Sequence, residues 1–165
     1  MATKLKILRA PRSASLSMIG TDYGGHVYWV KPTTAVDFNV FYQERFIKYD
    51  NGNSSIYNTI TEALAAATAS VGDVIYVCEG YAETRTAALT LNKAGVAVIG
   101  LGVGTARPAL TAGFAGDCVT ITAANVEFRN FHFPAPTTDA ATAMINVAGA
   151  GVTIGNITGI GFGGS

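Results

Sequence analysis

The stretch Leu89-Thr90-Leu91-Asn92-Lys93-Ala94-Gly95-Val96-Ala97-Val98 decides how this chain folds, because two later stretches repeat its pattern. They are Val119-Thr120-Ile121-Thr122-Ala123-Ala124-Asn125-Val126-Glu127-Phe128 and Ile145-Asn146-Val147-Ala148-Gly149-Ala150-Gly151-Val152-Thr153-Ile154. Each reads apolar-x-apolar, a few small or polar residues, Gly or Asn, then Val-x-apolar. The offsets between copies are 30 and then 26 residues. Alternation of period two puts Leu89 and Leu91 on one face of a strand, and Val96 and Val98 on one face of the next. Gly95, Asn125 and Gly151 share the corner between the two strands, and Gly and Asn are the residues that accept positive φ. A coil of this length cannot bury its apolar face alone, so successive coils stack.

A second register follows the first. Asn130 and Asn156 lie four residues after Val126 and Val152, and Gly100 holds that place in the first copy. Superposed asparagines predict a hydrogen-bonded ladder along the stack, with Leu101, Phe131 and Ile157 as the next stacked position. The fold class expected is all-β: a short right-handed parallel β-helix of about three coils, spanning roughly residues 55 to 162. Ahead of it, Ile60, Leu64 and Ala67 recur at helical spacing, Asn58 or Thr59 can cap, and Ala65-Ala66-Ala67 favours helix. One helix from Tyr57 to about Ala67 is therefore expected to cap the N-terminal end, with Ser70-Val71-Gly72-Asp73 ending it.

Residues 21 to 50 are aromatic and strand-like: Val27-Tyr28-Trp29-Val30, then Phe38-Asn39-Val40-Phe41-Tyr42, then Phe46-Ile47-Lys48-Tyr49. Pro32 interrupts the first run, and Asp50-Asn51-Gly52-Asn53 is a strong turn. Residues 1 to 20 read as a polar arm carrying Lys4, Lys6, Arg9 and Arg12, with no apolar run of signal-peptide type. The expected division is 1–50, an arm with antiparallel strands for assembly contacts, and 51–165, the β-helix. Tyr28, Trp29, Phe38, Phe41, Tyr42 and Phe162 are the candidate contact residues.

Charged residues are only 13% of the chain and apolar ones 49%, about half the roughly 25% charge usual in soluble domains. Such a surface suits coverage by partners. Eleven basic and eleven acidic side chains balance, so no long-range pull toward nucleic acid or an anionic membrane is expected. No apolar run approaches the roughly 18 residues of a membrane-spanning helix. Cys78 and Cys118 sit in apolar strands and read as buried free thiols, with a disulfide between coils as the alternative. No third ligand has metal-site spacing.

The run Tyr57-Asn58-Thr59-Ile60-Thr61-Glu62-Ala63-Leu64 resembles the capping helix of the pectate-lyase-like right-handed parallel β-helix superfamily. Gly72-Asp73-Val74-Ile75-Tyr76-Val77 with Glu79-Gly80-Tyr81-Ala82-Glu83 resembles its first strand and turn, and Val96-Ala97-Val98-Ile99-Gly100-Leu101-Gly102 its second strand. The resemblance covers roughly residues 46 to 162. Enzymes of that superfamily would supply acidic clusters on successive coils. Here Asp73, Glu79, Glu83, Asp117, Glu127 and Asp139 do not repeat at coil spacing, and a glycosidase needs two facing carboxylates. His26 and His132 lack sequence partners for a triad. Gly100-Leu101-Gly102-Val103-Gly104 lacks a phosphate-loop lysine and reads as corner glycines.

No catalytic residue, cofactor or metal site is therefore expected. Short β-helices of this composition resemble phage head and tail parts. The function expected is a virion decoration or cement protein on the capsid surface, a homotrimer whose other partner is the major capsid protein or another virion protein. The alternatives are a carbohydrate-binding or depolymerising tailspike-type module, using Tyr28, Trp29, Tyr81 and Glu83, and a bacterial surface or adhesin fragment.

Overall fold

A computed structural model describes residues 25–31 and 56–160. Phe38, Phe41, Tyr42, Phe162 and the arm of residues 1 to 20 lie outside these. The described residues form a parallel β-solenoid of about four turns with a single helix, the arrangement expected of a parallel β-helix. Three sheets run along it. The first is ordered β12 (Thr153–Gly155), β9 (Glu127–Arg129), β6 (Ala97–Gly100), β3 (Val74–Val77), β1 (Val27–Val30) and β2 (Ile56–Tyr57). The second is β13 (Thr158–Gly159), β10 (His132–Phe133), β7 (Ala109–Ala112) and β4 (Ala82–Arg85). The third is β11 (Ala141–Val147), β8 (Gly116–Ile121) and β5 (Leu89–Leu91).

The repeat sets the register. Leu89 pairs with Val119 and Val119 with Ile145, while Val98 pairs with Phe128 and Phe128 with Ile154. Inward rows therefore stack like on like. Leu89, Leu91, Val96, Val98, Val119, Ile121, Val126 and Phe128 are all buried in one central core. The ring of Phe128 stacks on Phe131 at 4.3 Å between centroids. Gly95, Asn125 and Gly151 have φ of 68°, 55° and 65°, as the corner requires. Leu101 departs from the expected stack. It packs on the outer face of the first sheet with Val74, Tyr76, Ala97 and Ile99, since a 3-10 turn at Gly104–Ala106 lengthens this corner of the second coil. Burial on both faces explains the unbroken apolar runs Val74–Val77 and Ala97–Ile99.

The helix α1 (Ile60–Ala66) lies at the N-terminal end, with Thr59 as its cap. Its buried side chains are Ile60, Ala63 and Leu64. Pairing of β1 corrects the expectation of antiparallel strands as far as Val27–Val30 is concerned. This strand runs parallel to both β2 and β3, with Val27 opposite Val74 and Val30 opposite Val77. One anchor fixes the start of the strand: the buried Asp73 carboxylate accepts the His26 backbone N–H at 2.7 Å. Alternation then turns Tyr28 and Val30 to the core.

Candidate functional site

The features that could engage a partner sit at the two ends of the solenoid. At the N-terminal end, polar groups close the structure. The Thr59 Oγ1 accepts the Glu62 N–H at 3.1 Å, and Glu62 Oε2 accepts the Thr59 N–H at 3.2 Å and the Asn58 N–H at 3.0 Å. This capping box satisfies helix donors that would otherwise be orphaned. At the other end of α1, Lys93 Nζ donates to the carbonyls of Ala65, at 2.7 Å, and Ala67, where a cation meets the negative end of the helix dipole. The Asp73 Oδ2 accepts the Thr68 N–H at 2.7 Å. One carboxylate thus ties together β1, the segment after α1 and the first coil.

Beneath α1 the second sheet carries charge on its core-facing side. Glu83 and Arg85 lie in register with the buried Leu110 and Ala112. Tyr81 donates its hydroxyl to Glu83 Oε2 at 2.5 Å, and Arg85 Nη1 reaches Glu83 Oε1 at 2.6 Å and Thr61 Oγ1 at 3.3 Å. Arg85 Nε donates to the Ala87 carbonyl at 3.2 Å. The group joins the helix cap to the first coil. Burial, then the Glu83 hydrogen bond and charge, push the Tyr81 phenol well above its ordinary range. Individual inspection of acidic residues missed this cluster. Its signal was the spacing Tyr81-x-Glu83-x-Arg85, which puts three polar side chains on one strand face.

The C-terminal end is built differently. Ile154 continues the inward row of Phe128, and Val147 that of Ile121. Phe128 and Ile121 are fully buried, whereas Ile154 is 42% exposed, Val147 45% and Ile160 59%. The strands β11, β12 and β13 are the edges of their sheets. Residues 141 to 160 contain no Asp, Glu, Lys, Arg or His. The edge thus lacks the inward charge, lysine or proline that ordinarily blocks strand pairing.

The asparagine ladder forms and leads to this end. Asn130 Nδ2 donates to the carbonyls of Gly100, at 2.8 Å, and Gly102, at 3.0 Å. Asn156 Nδ2 donates to Asn130 Oδ1 at 2.6 Å. Asn130 and Asn156 both take positive φ. Gly100 does so nowhere in this corner; it is glycine because an added Cβ would fall 2.2 Å from the Asn130 carbonyl oxygen.

Of the candidate contact residues, Tyr28 and Trp29 are described, and they fall on opposite faces. Tyr28 packs against the core and donates its hydroxyl to the Ala66 carbonyl at 3.3 Å. Trp29 lies on the outer face of the first sheet, 5.1 Å from the Tyr76 ring. The four residues named for carbohydrate do not converge, since Tyr81 is buried and Glu83 is held by Tyr81 and Arg85.

Cys78 and Cys118 are buried free thiols. Burial, with Glu79 beside it, pushes Cys78 up to about 12, and burial pushes Cys118 up to about 11 against the opposing pull of Arg85. His132 Nδ1 lies 3.2 Å from Thr158 Oγ1, to which Arg107 Nη1 donates at 3.3 Å. On the outside of the third sheet, Asp117 accepts Thr142 Oγ1 at 2.5 Å and Asn146 Nδ2 at 2.6 Å, which lower its carboxyl below its usual range. Among the described residues no three His, Cys, Asp or Glu side chains group as metal ligands, and no helix is long and apolar enough to cross a membrane.

No protein-family model, curated protein or solved structure gives a significant match to this chain. The likeness to the pectate-lyase-like superfamily accordingly extends to the parallel β-helix architecture and to no particular family.

Proposed function

We propose that this protein is a structural component of an assembly, joined to its neighbours through the C-terminal coil, and that the assembly is a phage-like capsid decorated by it. The observation that supports joining is the exposure of Val147 and Ile154, which continue rows whose residues one coil earlier, Ile121 and Phe128, are fully buried. An apolar core section bounded by three sheet edges and free of charge is a surface that a partner covers. The choice of a capsid rests on the likeness of short β-helices to phage head and tail parts, together with the low charge content. It is an argument by analogy of fold.

Electron microscopy of particles with and without the protein tests this reading. Decorated particles carry surface density that disappears when the protein is omitted and returns when purified protein is added. Shells identical in both preparations would overturn it. Cleavage or tight binding of a polysaccharide by the purified chain would replace it with the tailspike-type alternative.

A further inference from the structure

We infer that the outer face of the first sheet is the docking surface for residues 32–55 of the same chain, which cross over it between β1 and β2. The inference goes beyond the joining role proposed above and does not depend on it.

The outer face is buried. Val74, Tyr76, Ala97 and Ile99 turn away from the solenoid interior and form an apolar group apart from the central core. On an uncovered sheet such side chains would meet water. Yet all four are at most 5% exposed. Among the described residues, the other apolar side chains packed with them are Val27 and Trp29, of the same sheet, and Leu101, and these are only half-buried. Neighbours within a sheet shield the flanks of a side chain and not its tip, so burial this complete calls for a further layer. The apolar patch also has a limit. One strand on, opposite Ala97 and Ile99, stand Glu127 and Arg129, paired with each other at 2.5 Å. The surface to be covered is therefore that of β1, β3 and β6.

The path of the chain selects the occupant. β1 ends at Val30 and β2 begins at Ile56, and the two run side by side in parallel. A connection between parallel neighbours needs roughly a dozen residues or more and passes over one face of the sheet. Residues 32–55 are that connection. Each coil, such as β3 to β6, steps toward the C-terminal end with its connection enclosing the core. The step from β1 to β2 goes the other way, since β2 lies on the far side of β1 from β3. Parallel crossovers keep one hand, and reversing the step at constant hand moves the connection to the opposite face. That face is the outer one. The inner face is already taken, because Tyr28, Val30 and Tyr57 share the central core with Ile60 and Leu64 of α1.

The segment's composition fits the surface. Phe38, Val40, Phe41, Tyr42, Phe46 and Ile47 supply apolar side chains, whereas Tyr23 is the one aromatic residue in 1–24. Phe38, Phe41 and Tyr42 then cover their own chain's sheet, and contacts with other molecules fall to other surfaces.

Isotope-filtered NOE spectra of the full chain test the inference, with labelled chain alone and mixed with unlabelled chain. The methyl groups of Val74 and Ile99 are expected to show NOEs to rings of Phe38, Phe41, Tyr42 or Phe46 within one chain. NOEs arising only between labelled and unlabelled chains would put a second copy on this face. NOEs to residues 1–24 and none to 32–55 would put the arm there. Either result overturns the inference, as does a face without such contacts. Trp29, the chain's single tryptophan, gives an independent reading. A Phe38→Ser, Phe41→Ser, Tyr42→Ser triple variant is expected to shift its emission to the red and speed its quenching by acrylamide, with β8 amides still slow to exchange. Leu8→Ser with Leu16→Ser leaves both unchanged. Emission unmoved by the triple variant, or moved equally by the control, overturns the inference. The NOE measurement needs no variant, so it decides the matter if the triple variant fails to fold. Failure here leaves the C-terminal joining surface standing, because that surface is a different part of the solenoid.

Discussion

The two ends of this solenoid solve one problem in different ways. At both, the outermost described coil presents inward side chains and strand edges. The N-terminal end stops with a helix whose Ile60, Ala63 and Leu64 cover the core. Charged groups are fixed there by hydrogen bonds, including Glu62 in the capping box and Lys93 on the helix carbonyls. The last described coil carries the same rows of side chains, and among its described residues Val147 and Ile154 rise from the full burial of Ile121 and Phe128 to more than two-fifths exposed. The difference teaches where stability is stored and where association energy is held in reserve. A capped end gains its burial on folding; on the reading proposed above, the exposed coil gains it on meeting a partner.

The largest expected effect compares two positions of one row. Phe128→Ala removes a fully buried ring stacked on Phe131, and should cost about 3–5 kcal/mol. Ile154→Ala, one coil further on, should cost about 1 kcal/mol because much of the side chain already meets water. Urea denaturation at low protein concentration measures both. Equal costs would break the contrast between closed and open coils.

The ladder joins the two regions. Asn130→Ala should destabilise by about 2–3 kcal/mol, combining a left-handed backbone with the loss of its bonds to Gly100 and Gly102. Asn130→Gly should recover about 1 kcal/mol of this, since it restores the backbone and not the amide. Identical costs for the two would mean that the positive φ at residue 130 contributes nothing. At the closed end, Thr59→Ala should lower stability by about 1 kcal/mol, read by the same denaturation.

A smaller effect follows from the buried thiols. Cys78 and Cys118 ionise near 12 and 11 when folded, above the ordinary 9.0. A raised folded pKa holds its full stability below the unfolded value. That stability is lost as pH climbs from about 9 toward 12, because only the unfolded chain then releases the protons. Stability measured from pH 8 to 11 should fall, and a Cys78→Ala, Cys118→Ala double variant should fall less. Parallel curves would contradict the assignment.

Much of this was legible in the sequence, and for a physical reason. Stacked coils must place equivalent residues over one another, so Leu89, Val119 and Ile145 announce their register, and Gly95, Asn125 and Gly151 announce a corner that few residues tolerate. The ladder of Asn130 and Asn156 was readable on the same ground. What escaped depends on long-range placement. Nothing local in Val27-Tyr28-Trp29-Val30 shows that it enters the first sheet in parallel, because its start is anchored by Asp73, far along the chain. Tyr28 and Trp29 looked alike as aromatic contacts, but alternation sends one to the core and the other outside.

Amide hydrogen exchange of the chain alone and bound to particles tests the joining surface most directly. On binding, amides of β11, β12 and β13 should become protected while those of β3 and β6 stay as they were. Equally fast exchange in the last coil in both samples would contradict the claim that this end is built to be covered.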